Sequence, residues 1–391
     1  MPPYLAGREA ELVEFSKLLE QRVILENLIL TGLRGVGKTV LLESFKPLAV
    51  ESGWLWVGTD LSEAASVSEE NLATRILTDL SVVTSTLSVP TGTRPGFGTE
   101  PSTAPVTFDT LAALYSETPG LPSDRLKAVL EAVWVGLNEQ GTRGVIFAYD
   151  EAQNLADRPE KEQYPLSLLL DVFQSIQRKE IPYLLVLAGL PTLFPKLVEA
   201  RTFSERMFRV MTLDRLTREA SREAIVRPIE ADESPMGFDE TSVELICEWS
   251  GGYPYFIQFI CREVFDIFIQ QTDRGVQPGV PIEAIVRKLD SDFFSGRWAK
   301  PTDRQRDLLR VIAGLDRSDS EFTIQEVVDM SAKVLSKPFT PSHVNQILVR
   351  LSEMGLIYKN RYGKYSFAVP LFGQFILREM ERERNPQARL F

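Results

Sequence analysis

Eight residues constrain this chain more than any others. Gly32-Leu-Arg-Gly-Val-Gly-Lys38-Thr39 fits the pattern G-x-x-x-x-G-K-[ST]. That pattern carries meaning only between a strand and a helix. Here it follows the short apolar run 27–31 and precedes a helix pattern that opens with Leu41 and Leu42. Glycines let the backbone wrap so that successive N–H groups aim at phosphate oxygens. The helix N-terminus behind them adds the positive end of its dipole. Gly32, Gly35, Val36, Gly37, Lys38, Thr39 and Val40 are therefore the candidate binding residues for a nucleoside triphosphate. Lys38 is expected to reach the β- and γ-phosphates, and the Thr39 hydroxyl to bind Mg²⁺. A chance glycine-rich turn is the bland alternative, and the full match in its strand–loop–helix setting counts against it.

A second signal lies about 110 residues on. The apolar run 145–149, bounded by Gly144, reads as a buried parallel strand and ends in Asp150-Glu151. Open parallel sheets place their ligands at the carboxyl ends of strands. Asp150 would hold Mg²⁺, and Glu151 would orient and deprotonate an attacking water. Alone, the acidic pair would read as a helix N-cap; with Lys38 it reads as the other half of a nucleotide site.

The rest of the chain supports that setting. Strands at 27–31, 54–57, 145–149 and 183–188 alternate with helices at 7–21, 125–139 and 166–178, the α/β pattern of a parallel sheet covered on both faces. Residues 85–107 are rich in Pro, Gly, Ser and Thr and read as a flexible surface insertion. Beyond residue 217 only helices are expected: 218–226, 240–249, 254–271 and 282–289. After Trp298 come helices 303–313, 324–332 and 342–354, then strands 356–359 and 365–369 turning at 361–363, the form of a winged helix. The expected domains are 1–216, 217–298 and 299–391.

Composition narrows the chemistry. The single histidine, His343, excludes a histidine-based metal cluster or Ser-His-Asp catalysis as the main theme. Cys247 and Cys261 match no zinc or redox spacing and read as ordinary core cysteines. No apolar run approaches the ~20 residues that cross a bilayer. The opening Met-Pro-Pro-Tyr-Leu lacks the regions of a signal peptide, so no membrane partner and a cytoplasmic location are expected. Net charge is −11, against a protein that coats nucleic acid with its whole surface. From Lys300 onward, however, 15 Lys/Arg face 11 Asp/Glu, a net of +4, so the preceding 299 residues carry −15.

At these residues the chain resembles AAA+ ATPases of the archaeal-ATPase and initiator-like group, close to the signal-transduction ATPases with numerous domains. Leu5-Ala-Gly7-Arg8-Glu9 is similar to the short box that lies beside the adenine in that group, which implies ATP and adds Gly7 and Arg8 to the site. Asp150-Glu151-Ala152-Gln153 resembles the acidic box of transposition-regulator and initiator ATPases. Leu187-Ala-Gly189-Leu-Pro191 stands where the sensor-1 strand would be, and Gly251-Gly252-Tyr-Pro254 looks like the lid turn, adding Pro254. Phe203-Ser-Glu-Arg206 is similar to the segment that bears an arginine finger. That role would make activity depend on a homo-oligomer; otherwise Arg206 and Arg209 are solvated helix charges paired with nearby acids. The chain departs from the group at Ala188-Gly189-Leu190, which offers no Asn or Thr to sense the γ-phosphate, and in the lid, where only Arg262 is placed to serve as sensor-2. Both gaps imply slow hydrolysis, or hydrolysis that waits on a partner.

The C-terminal segment leaves two functions open. The helix over 342–354 carries His343, Asn345, Gln346 and Arg350, and the hairpin carries Arg361 and Lys364, all able to contact double-stranded DNA. Such a module also serves as a protein-interaction surface. The chain is thus either an ATPase that assembles on DNA or a signalling switch that acts on a protein partner.

Overall fold

The computed structural model describes residues 4–85, 87–90, 103–231, 237–272, 280–315, 321–360 and 363–384. The chain divides into two compact units, one of residues 8–32 and 38–212, the other of 1–7, 33–37 and 213–391.

The first unit is a five-stranded sheet with helices. Its strands are β1 (Asn27–Gly32), β2 (Trp54–Val57), β5 (Gly144–Tyr149), β6 (Tyr183–Gly189) and β7 (Phe208–Leu213), separated in sequence by the short β3 (Ser88–Pro90) and β4 (Thr103–Pro105). The sheet order is β2-β5-β6-β1-β7, and β1–β6, β5–β6 and β2–β5 pair in parallel. Every residue of β1, β5 and β6 is buried, which is why these strands read as unbroken apolar runs rather than alternating ones. Phe147, Phe173 and Tyr183 meet edge to face at the centre of this core.

Several elements were not expected from the sequence, a helix and an edge strand of the sheet among them. The helix Glu69–Thr84 turns Leu72, Ile76 and Leu80 into the core, and the Ser68 side chain caps it by accepting from Asn71 N–H at 3.1 Å. Strand β7 alternates buried Phe208, Met211 and Leu213 with exposed residues. Arg209 therefore lies on a strand and not on a helix, where it pairs with Glu26 at 2.7 Å and Glu14 at 3.4 Å.

The ends of the stretch read as an insertion are pinned to the core. Leu87 and Val106 are buried, Val106 N–H donates to the Leu87 carbonyl at 3.0 Å, and Thr84 Oγ1 donates to the Val106 carbonyl at 2.9 Å. Residues 86 and 91–102 of that stretch lie outside the described residues.

The second unit holds helices Arg218–Ala231, Glu240–Ser250, Pro254–Thr272 and Ile282–Leu289 around Ile225, Val243, Ile246, Ile257 and Ile285. A further cluster joins helices Asp303–Ala313, Ile324–Val334 and Pro341–Glu353 to the antiparallel hairpin β8 (Ile357–Lys359) and β9 (Tyr365–Phe367). This is the helix order and hairpin expected of a winged helix. Phe322 adds a bridge to Tyr365 with paired bonds of 2.7 and 2.8 Å. The closing helix Phe372–Arg384 is absent from the sequence reading. It is tied down by Arg378 and Arg382, which hold the buried carboxylate of Asp290 at 2.5 and 2.9 Å. Cys247 and Cys261 are free and half-buried; burial pushes the Cys261 thiol up to about 12 and keeps it protonated.

Candidate nucleotide site

The loop after β1 takes the conformation that its glycines were expected to permit. Gly35 and Gly37 lie in the left-handed region, with φ of +80° and +94°, where a side chain would be strained. Helix Lys38–Glu51 starts directly behind them. Lys38 Nζ donates to the Gly32 carbonyl at 2.9 Å across the base of the loop. Val36 is buried and Val40 half-buried. In the second unit, Tyr255 N–H donates to the Gly35 carbonyl at 3.1 Å, and a side chain at Gly37 would meet Pro254 Cγ at 3.9 Å.

The sheet order places β6 between β1 and β5, so the ends of β1 and β5 flank it. Asp150, at the end of β5, is almost fully buried, and both its oxygens are engaged. Oδ2 accepts from the Thr39 hydroxyl at 2.5 Å, and Oδ1 accepts from Glu151 N–H at 2.7 Å. The backbone of Asp150 is fixed too: its N–H donates to the Thr59 carbonyl at 3.2 Å, and its carbonyl accepts from Leu61 N–H at 2.9 Å. Thr59 and Leu61 extend β2 alongside Asp150, a support that no local pattern announces.

Glu151 is exposed, with φ at +51°. Its Oε2 accepts from the Gln153 amide, whose own carbonyl oxygen accepts from Leu190 N–H at 3.0 Å.

The oxygen donors fit magnesium. Thr39 and Asp150 present a hydroxyl and a carboxylate within one hydrogen bond of each other, at the start of the helix Lys38–Glu51 and the end of β5. Magnesium takes one or two protein oxygens and completes its shell with phosphate and water. The described residues contain no cluster of three or more His, Cys, Asp or Glu that could hold a metal ion.

Other candidates lie elsewhere. Gly7, with φ at +61°, packs in the second unit, where an added side chain would come within 2.6 Å of Ala220 Cβ. Arg8 is buried in the first unit and pairs with Glu11 at 3.4 Å. Arg206, on the short helix Ser204–Met207, is exposed and forms no ion pair among the described residues. Arg262 is exposed on helix Pro254–Thr272. His343, Asn345, Gln346 and Arg350 share one shallow groove with Gln305 and Glu353. Arg350 is paired with Glu353 at 3.0 Å, and Lys364 with Glu321 at 3.8 Å. Arg361 lies outside the described residues. No described helix is long and apolar enough to cross a membrane.

A family described as a domain of unknown function (DUF8462) matches residues 291–376. No curated protein matches the chain. Among the solved structures that match is the Walker-type ATPase paby2304 of Pyrococcus abyssi. It is 17% identical, with a TM-score of 0.59 over 95% of this chain and 96% of that one. Another is the ORC2 protein of Aeropyrum pernix in its ADP form, 14% identical, with a TM-score of 0.56 over 97% of this chain and 96% of that one. At these identities the likeness speaks to the fold. The fold is that of an AAA+ P-loop NTPase domain followed by helical and winged-helix regions.

Proposed function

We propose that this chain binds ATP with magnesium at the loop after β1 and hydrolyses it slowly, using Glu151 as the base. The observation that carries the reading is the division of labour between the two acids. Asp150 is buried with both oxygens engaged, one of them by the Thr39 hydroxyl, whereas Glu151 is exposed and keeps Oε1 without a bond among the described residues. Magnesium, held by Thr39 and Asp150, would neutralise charge on the β- and γ-phosphates. The loop amides bind the phosphates, and the Lys38 ammonium exchanges the Gly32 carbonyl for their oxygens. Glu151 takes a proton from water as the water oxygen bonds to the γ-phosphorus. The bond from that phosphorus to the bridging oxygen breaks, and its electron pair leaves with ADP.

The nucleotide state, on this reading, governs self-assembly and the engagement of double-stranded DNA through helix Pro341–Glu353 and the hairpin. Supporting it, four hydrogen-bonding side chains of that helix share one groove. The domains follow the boundaries 1–216, 217–298 and 299–391. One observation favours a second reading, a switch that acts on a protein partner. Arg350 and Lys364 already have acidic partners, and strong DNA binding rests on many cationic contacts to phosphate. ATP turnover with and without double-stranded DNA at low salt separates the two. Stimulation that fades steeply as salt rises is the expected result; turnover indifferent to DNA would shift the proposal to the protein partner.

Arg206 has the exposure required of a finger that reaches a neighbouring subunit. Arg206→Ala is expected to lower turnover by about 10²-fold, the scale of losing one charge-stabilising donor, with ATP affinity unchanged. Mixing it with Lys38→Ala subunits, which still carry Arg206, should restore part of the rate. No recovery at any ratio would remove a finger acting between subunits.

A further inference from the structure

The end of β6 bears no polar side chain, yet the space there is not empty. An added Cβ at Gly189 would come within 2.7 Å of Gln153 Oε1 and 2.9 Å of Leu193 Cδ2. The position that would project a side chain toward the site is thus filled by the Gln153 amide, arriving from the turn after β5. That amide has one possible orientation. Leu190 N–H can be satisfied only by the amide oxygen, which it meets at 3.0 Å, so the NH₂ group must face the Glu151 carboxylate. The turn is itself anchored. Half-buried Lys196 donates through Nζ to the Gln153 carbonyl at 2.8 Å, Asn154 N–H donates to the Glu151 carbonyl at 2.9 Å, and Asn154 Nδ2 donates to the Leu61 carbonyl at 2.9 Å.

We infer that Gln153 is the positioning residue for Glu151: its amide, locked by Leu190 N–H, fixes one oxygen of the Glu151 carboxylate and leaves the other to take the proton of the attacking water. A long, exposed side chain would otherwise sample several rotamers, of which few aim the carboxylate at the water. Gln153 removes that freedom. The fixed contact also links the base to the end of β6, the strand that lies between β1 and β5 in the sheet. This inference rests on the assignment of Glu151 as base.

The test uses the full chain and two substitutions. Gln153→Ala removes the amide; Gln153→Glu keeps the shape and the acceptor for Leu190 N–H but loses the donor to Glu151. Both are expected to lower kcat about tenfold to a hundredfold, the usual cost of losing a group that orients another, with KM and binding of a fluorescent ATP analogue unchanged. In the Glu151→Gln background, Gln153→Ala should not lower the residual single-turnover rate further, because the two residues act as a unit. A wild-type rate in Gln153→Glu would overturn the inference, since the Leu190 bond alone would then suffice. So would a further loss in the Glu151→Gln background. Wild-type turnover by Glu151→Gln itself would instead remove the base, which is a different failure and is read from that single variant.

Discussion

Lys38→Ala is expected to weaken ATP binding by orders of magnitude while leaving the fold intact. In the structure Lys38 Nζ donates to the Gly32 carbonyl at 2.9 Å, and the side chain is half-buried. Losing it takes one donor from the carbonyl of buried Gly32, so the cost to folding is modest. Its cost to binding is not. Each hydrogen bond to a charged group is worth about 1.5–3 kcal/mol, and on the proposed reading the ammonium would serve two phosphates, so about 3–6 kcal/mol would be lost. At 1.4 kcal/mol per decade that is roughly 10²–10⁴-fold in affinity. Equilibrium binding of a fluorescent ATP analogue measures it, and an unchanged thermal midpoint shows that the fold survives. Unchanged affinity would remove the loop between β1 and helix Lys38–Glu51 from the nucleotide site.

What could be read in advance depended on whether the physics was local. Trp54–Val57, Asp303–Ala313 and the apolar runs of β1, β5 and β6 carry their own periodicity, and the structure places strands or helices at each. Lys38 and Asp150 stand out as candidates because a glycine-rich loop and the end of a buried strand each leave a short pattern. Strand β7 was missed although Phe208, Met211 and Leu213 mark one face, because a six-residue edge strand is a weak signal beside the arginine-bearing segment before it. Other features cannot be read from any window. The pair Arg75 and Asp79 looks like an ordinary i, i+4 surface pair, yet Asp79 is buried; the core around it, not the helix, decides that. Gln153 reaches Leu190, 37 residues away, only because β5 and β6 are neighbours in the sheet. The groups that orient the candidate base are tertiary, and so was the information about them.

Glu151→Gln should bind ATP at least as tightly as the native chain and turn it over about 10³-fold more slowly or worse. The substitution is isosteric, and Glu151 is exposed, so neither packing nor the turn that follows gives a reason to unfold. It also deletes a negative charge near the site of the γ-phosphate, which favours binding. What the amide lacks is a basic oxygen for the proton of water. Asp150 is poorly placed to take over: it is buried, and its oxygens are already held by Thr39 at 2.5 Å and by Glu151 N–H at 2.7 Å. To act as base it would have to give up its contact with the Thr39 hydroxyl or with Glu151 N–H. A variant that retains ATP in unhydrolysed form, shown by chromatography of the extracted nucleotide after incubation, is therefore the expected outcome. If ADP accumulates at the native rate, Glu151 is not the base. The proton must then go directly to a phosphate oxygen, and the acidic pair would be left with the single task of placing magnesium.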